Sequence, residues 1–254
     1  MVQPRHLYHQ LMCTVTYLPH PSGDYSLTSN RDEQPARAPR RITRVGGGAS
    51  ERLFPQDTRA GGTWIATAGD NRTACLLNGA FEAHRRRPPY RRSRGLMVLD
   101  FFDYPDGAAF ATGYDFEGIE PFTMILLERG RLRELRWDEH WLHERTLNPA
   151  EPHLWSSATL YDAAARRKRA QWFQQCREAH REFGLAEILD FHQHAGAHDP
   201  WNGIVMNRGA RVRTVSITSV IRSGTEVRMR YEDLLSRQVT QAKIQLNGEV
   251  VECS

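Results

Sequence analysis

Hydrophobic alternation with a period of two runs through the first half of the chain, gives way to a helical period over residues 157–184, and returns beyond residue 200. Apolar and β-branched runs bounded by turn residues predict strands at 13–18, 25–29, 62–68, 74–78, 96–102, 122–128 and 132–137. The last two flank Arg129-Gly130 and read as a hairpin. Over 157–184, Leu160, Ala164, Trp172, Phe173, Cys176 and Phe183 fall mostly on one side of a helix. Shorter helices are expected at 100–114 and at 186–194, the latter through Ile188, Leu189 and His192. Strands at 203–206, 213–221, 226–231 and 243–251 follow, with Asn247-Gly248 as a tight turn. Runs of strands separated by one helical block do not make a βαβ series; they imply a layered α+β or αββα arrangement.

A chain of 254 residues can bury a large core without staples. No linker or internal repeat divides it, so residues 12–254 read as a single domain behind a polar, irregular extension at 1–11. The Gly46-Gly47-Gly48 triplet lacks the spacing of a phosphate-binding loop and reads as a turn. No apolar run approaches the roughly 20 residues of a membrane span, and no signal-peptide core precedes the first strand, so the chain is expected to be cytoplasmic. The net charge of +4 rests almost entirely on arginine, with Lys168 and Lys243 the only lysines. Its densest basic stretch, 85–94, carries two prolines and reads as a solvated loop; no nucleic-acid partner is expected. Cys13, Cys75, Cys176 and Cys253 form no C-x-x-C pair, which argues against zinc and against a disulfide framework. His140, His143, His192, His194 and His198 lack matched carboxylates or a clearly placed third ligand, so no metal is expected.

Four stretches carry a resemblance: Met12-Cys13-Thr14; Ser29-Asn30-Arg31-Asp32-Glu33 with Arg37 four residues on; Pro55-x-Asp57 leading into Gly61-Gly62-Thr63-Trp64; and Ser93-Arg94-Gly95-Leu96. In this order and spacing the chain resembles the NRDE family, whose eukaryotic members are called Transport and Golgi organisation protein 2. The second half matches only loosely, around 209–214. The resemblance implies the four-layer αββα fold of the N-terminal-nucleophile hydrolases, related to bile-salt hydrolases and penicillin acylases.

The residues support a matching chemistry. Removal of Met12 would leave Cys13 with a free α-amine, so nucleophile and base share one residue. An α-amine titrates at about 7.7–8.0 and a thiol at about 8.5, close enough to exchange a proton near neutrality. Thiolate attack on an amide or thioester carbonyl then gives an acyl-enzyme. Asn78, before Gly79, resembles the asparagine that supplies an oxyanion donor. Asp32, nineteen residues after Cys13, falls where relatives hold the α-ammonium, and Arg31 matches the arginine that lowers the thiol pKa. The bile-salt enzymes place two residues between that arginine and aspartate; here none intervenes, and Arg31 and Asp32 belong to opposite faces of one strand. Arg211 resembles the late arginine that closes the site, with Asn202 or Asn207 as the second orienter.

Each assignment has a plainer counterpart: Cys13 as a small buried hydrophobe, Asn30–Glu33 as surface chemistry, Asn78-Gly79 as a turn, and Trp64 as core. The expected function is a cysteine N-terminal-nucleophile amidohydrolase or acyltransferase, needing no cofactor and acting on a small intracellular amide or acyl thioester. It requires that the extension ending at Met12 be absent or removed, as a mis-assigned start would explain. The alternative, implied by the resemblance to the eukaryotic members, is a non-catalytic carrier for haem or for acyl-CoA or lipid.

Overall fold

The computed structural model describes residues 12–39, 41–159, 161–181, 183–209 and 212–246, with backbone alone for Met12, Cys13 and Ser22. Strands β1 (Met12–Pro19), β2 (Tyr25–Glu33), β10 (His153–Ser156), β11 (Arg213–Ser223), β12 (Glu226–Asp233) and β13 (Gln238–Gln245) form one sheet, in the order β10-β1-β2-β11-β12-β13. A second sheet follows chain order through β3 (Ile42–Val45), β4 (Arg52–Pro55), β5 (Ile65–Ala68), β6 (Arg72–Asn78), β7 (Phe122–Glu128), β8 (Arg131–Trp137) and β9 (Leu142–Leu147). Pairing is antiparallel throughout.

The two-residue period sorts the side chains into layers. Val15, Tyr17, Tyr25 and Leu27 meet Ile65, Cys75, Leu77 and Ile125 between the sheets. On the far side of the seven-stranded sheet, Leu76, Met124 and Leu126 pack against α1 (Arg94–Asp100) and α2 (Gly107–Gly113) through Met97, Val98 and Phe110. On the far side of the other sheet, Leu18 meets α3 (Ala163–Ala179) and α4 (Leu185–His194) through Phe173, Ile188 and Phe191. The result is the four-layer αββα sandwich. With both faces covered, all nine residues of β2 are buried.

Several expectations are corrected. Residues 96–102 form α1 and a following single turn, not a strand. The Ser93 side chain accepts the Leu96 N–H, and the buried pairs Met97/Phe101 and Val98/Phe102 recur at helical spacing. Residues 203–206 are not a strand either: the Gly203 N–H donates to the Asp199 carbonyl and that of Ile204 to Ala195, closing a turn. The long helix is shorter than its apolar pattern, because Asp162 caps it by accepting from the Ala165 N–H. The Arg129-Gly130 hairpin forms as expected, with φ of 47° and 74° at its two turn residues. Asn247-Gly248 lies outside the described residues.

Candidate active site

β1 and β2 run antiparallel through a tight turn, and the register sets Cys13 opposite Arg31 and Met12 opposite Asp32. Alternation then divides the Asn30-Arg31-Asp32-Glu33 motif. Arg31 and Glu33 face away from α3 and α4, while Asn30 and Asp32 contact groups of the helical layer.

On the first face, Arg31 donates to Asp57 Oδ2 at 2.5 Å and to Glu33 Oε2 at 3.1 Å, and its guanidinium lies 4.1 Å from the centre of the Trp64 ring. Arg37 reaches the same two carboxylates at 2.7 and 3.2 Å. Burial raises the Glu33 carboxyl, against the pull of Arg31 and Arg37. Burial also pushes the Asp57 carboxyl up, but the Ala60 N–H, Arg31, the Arg59 N–H and Arg37 together hold it below the usual range. The two acids share their cations and differ in backbone donors: Asp57 Oδ1 takes the N–H of Arg59 and of Ala60 at 2.9 and 2.8 Å.

These groups border a cleft of about 350 Å³, and Arg31, Trp64 and Asn78 line it together. Asn78 ends β6, and its carbonyl accepts the Ser157 hydroxyl at 2.7 Å. The motif glycines are explained by a close approach beside this cleft. A Cβ on Gly62 would meet the carbonyl carbon of Gly95 at 2.3 Å, where the Thr63 N–H donates to the Gly95 carbonyl at 2.9 Å. The basic loop is mostly exposed, as expected, with Arg85, Arg86, Arg87 and Arg91 all open to solvent, but Arg86, Arg92 and Arg94 also border the cleft. Trp64 is core and cleft wall at once.

On the other face, Asp32 is fully buried. Its Oδ2 accepts from Tyr161 Oη at 3.1 Å and its Oδ1 accepts from Thr214 Oγ1. Burial pushes its carboxyl up to about 6, against the opposing pull of Arg169, Thr214, Tyr161 and Arg208. Beside it, Asn30 Nδ2 donates to the carbonyls of His192 and Ile204 at 2.9 and 3.0 Å, which leaves Asn30 Oδ1 as the acceptor for His192 Nδ1. The imidazole therefore carries its proton on Nδ1, and Nε2 accepts from Thr16 Oγ1 at 2.7 Å. Burial, then Arg169, lowers this ring to about 3, so it is neutral.

Of the residues singled out in the sequence, Arg31 and Asn78 share the cleft, and Asp32 lies on the opposite face of the strand that carries Arg31. Arg211 lies outside the described residues. Asn202 and Asn207 do not line the cleft: the Asn202 side chain meets Asp199 and Arg208, and Asn207 Oδ1 accepts the Gly209 N–H at 3.0 Å. Sequence reading missed Arg169, Tyr161 and Thr214. Arg169 had a signal, since it sits four residues from both Ala165 and Phe173 and so falls within the apolar stripe of α3. Among the described residues, no group of three or more His, Cys, Asp or Glu gathers as a metal site, and no helix is long and apolar enough to cross a membrane.

Layer order and strand pairing define the N-terminal-nucleophile hydrolase fold. A Caenorhabditis elegans ortholog of N-acylethanolamine-hydrolyzing acid amidase superposes with a TM-score of 0.58 at 11% identity, over 82% of this chain and 92% of that one. A variant of conjugated bile acid hydrolase from Clostridium perfringens gives 0.56 at 9% identity, over 94% of this chain and 100% of the other. No curated protein sequence matches the chain. Residues 12–200 match the family described as Transport and Golgi organisation 2, and the chain belongs to that family.

Proposed function

We propose that the protein is a cysteine N-terminal-nucleophile amidohydrolase or acyltransferase whose substrate is a small amide or acyl thioester. The observation that carries this reading is the β1–β2 register: it pairs Cys13 with Arg31, and Arg31 shares the 350 Å³ cleft with Asn78. Of the described side chains of β1, Val15 and Tyr17 lie on the inter-sheet face, and Arg31 reaches the cleft from that face against Trp64.

In this reading the mature chain begins at Cys13. Its α-amine takes the thiol proton, and the thiolate attacks the substrate carbonyl while Asn78 donates to the oxyanion. Collapse transfers the proton from the ammonium to the leaving group and leaves an acyl-thioester on Cys13. Water or another acceptor then resolves it, again with the amine as base. Asp32, one residue pair beyond Cys13, holds the ammonium form. Arg31 acts with its charge shared between Glu33 and Asp57, so its task is to shape the cleft with Trp64 as much as to favour the thiolate.

Mass spectrometry of natively expressed protein tests this directly. Cys13 is expected at the N-terminus, and a thiol electrophile is expected to label it ahead of Cys75 and Cys176. A blocked or extended terminus in active protein removes the mechanism. The engagement of Arg31 by two carboxylates favours a second reading, in which the cleft holds haem or an acyl ligand without turning it over. Cys13→Ala separates the two: it abolishes turnover in the first and leaves binding unchanged in the second.

A further inference from the structure

Among the described residues, Arg169 is the largest side chain with no solvent exposure, and it carries a charge. Its position in α3 obliges every N–H it buries to find an acceptor. Nε donates to the Asn202 carbonyl at 3.1 Å and Nη2 to the Gly203 carbonyl at 2.6 Å, which fixes the guanidinium against the turn after α4. The remaining contacts point to β1 and β2. Nη1 donates to Thr14 Oγ1, the residue after Cys13, and Nη2 donates to Tyr161 Oη. The guanidinium also stacks 3.5 Å from the centre of the Tyr161 ring.

An arginine has donors only, so the Tyr161 oxygen accepts from it and the Tyr161 hydrogen is left for Asp32 Oδ2. Thr214 follows the same logic on the other side. Its oxygen accepts the Met206 N–H at 2.8 Å and its hydrogen goes to Asp32 Oδ1. The carboxylate is thus held through both oxygens, and one of the two supports is set by Arg169. The charged and titratable groups acting on Asp32 are Arg169 from α3, Tyr161 from the segment before it and Arg208 from the loop after α4; neutral His192 from α4 feels the same Arg169.

We infer that Arg169 is the positioning residue of the amine end of β1: through Tyr161 it orients the Asp32 carboxylate, and through Thr14 it fixes the strand next to Cys13. This deepens the proposed reaction and rests on Cys13 becoming terminal. It assigns to α3, remote in sequence from the Asn30–Glu33 motif, control over the group that receives the ammonium.

The test uses full-length Arg169→Met, Arg169→Lys and Tyr161→Phe, each checked for native near-UV circular dichroism. Two readouts are taken: the Asp32 titration midpoint by carboxyl ¹³C NMR, assigned with Asp32→Asn, and the rate of iodoacetamide labelling at Cys13 by peptide mass spectrometry. The Asp32 midpoint is expected to rise by half a pH unit or more in Arg169→Met and by less in Tyr161→Phe. Cys13 labelling is expected to slow at least tenfold in Arg169→Met, with Arg169→Lys intermediate. Should Arg169→Met fail to fold, Tyr161→Phe carries the test. An Asp32 midpoint that stays put in the folded variants overturns the inference, and so does labelling that is equally fast in all of them. Wild-type Cys13 that neither becomes terminal nor reacts, together with a shifted Asp32 midpoint, overturns the proposed reaction while leaving the Arg169–Asp32 coupling intact.

Discussion

At the scale of residues, the two buried titratable groups on the helical face of β1 and β2 act in opposite senses. Asp32 is raised to about 6, so between pH 4 and 6 the folded state binds the proton that the unfolded chain has lost, and stability falls as pH rises through that window. His192 is lowered to about 3, so over the same window the unfolded chain binds a proton that the folded state refuses, and stability rises with pH. The shifts correspond to ~3–5 kcal/mol, and over this window the two slopes largely cancel. Urea midpoints measured from pH 4 to 6 should therefore be nearly flat in the wild type. They should climb with pH in Asp32→Asn, where the histidine acts alone, and decline in His192→Gln. Two variants with the same slope would refute the assignment. For the cleft, Asn78→Ala should lower kcat by about 10²–10³ with little change in KM if its side chain serves the oxyanion.

At the scale of elements, the loop carrying Asp57 and the start of α1 touch through bare backbone at Gly62 and Gly95. A methyl group at Gly62 meets main-chain atoms that have no side chain to move aside. Gly62→Ala should then cost about 2–4 kcal/mol in urea denaturation and disturb the wall beside Trp64, whereas Gly130→Ala, with open space around its Cβ, should cost only the strain of its positive φ. Sequence legibility follows the same physics. Strands covered on both faces, such as β6 and β7, were readable because burial enforces a dense apolar pattern, whereas β2, equally buried, was read only over 25–29 because Asn30-Arg31-Asp32-Glu33 are polar. β9, an edge strand of Leu-His-Glu-Arg-Thr-Leu with four exposed residues, left no such trace. α1 looked like a strand because its short apolar run fits both periods, and only the Ser93 cap decides between them. In the site, the hairpin separation of Cys13 and Asp32 and the alternation that parts Arg31 from Asp32 were legible, but which layer each faces required the fold. Arg169 was hidden because a basic run in a helix usually marks a solvated side.

At the scale of the whole molecule, β1, β2 and β11 lie in the middle of one sheet and are bracketed by α3 and α4 on one side and the second sheet on the other. Their amides should exchange only with global opening, while those of β9 and β13, each at one edge of its sheet, exchange by local fraying. Hydrogen exchange read by mass spectrometry should show protection falling outward from β2 in one sheet and from β6 and β7 in the other. Uniform protection across β9 and β13 would instead mean that the sandwich opens as one unit. α3 should exchange slowly around Arg169, whose buried donors tie the helix to both β1 and the turn after α4.

The turn between Pro19 and Tyr25 acts as the phase setting for everything beyond it. Deleting one residue there, and pairing the strands again in the nearest frame, would exchange the occupants of the two sides of β2, sending a carboxylate towards the cleft and a guanidinium towards the helices. On the helical side the guanidinium would meet the like charges of Arg169 and Arg208, and Asp57 would lose one of its two cations. The length of this short connection, which touches no substrate, is therefore as tightly constrained as the identity of the four motif residues.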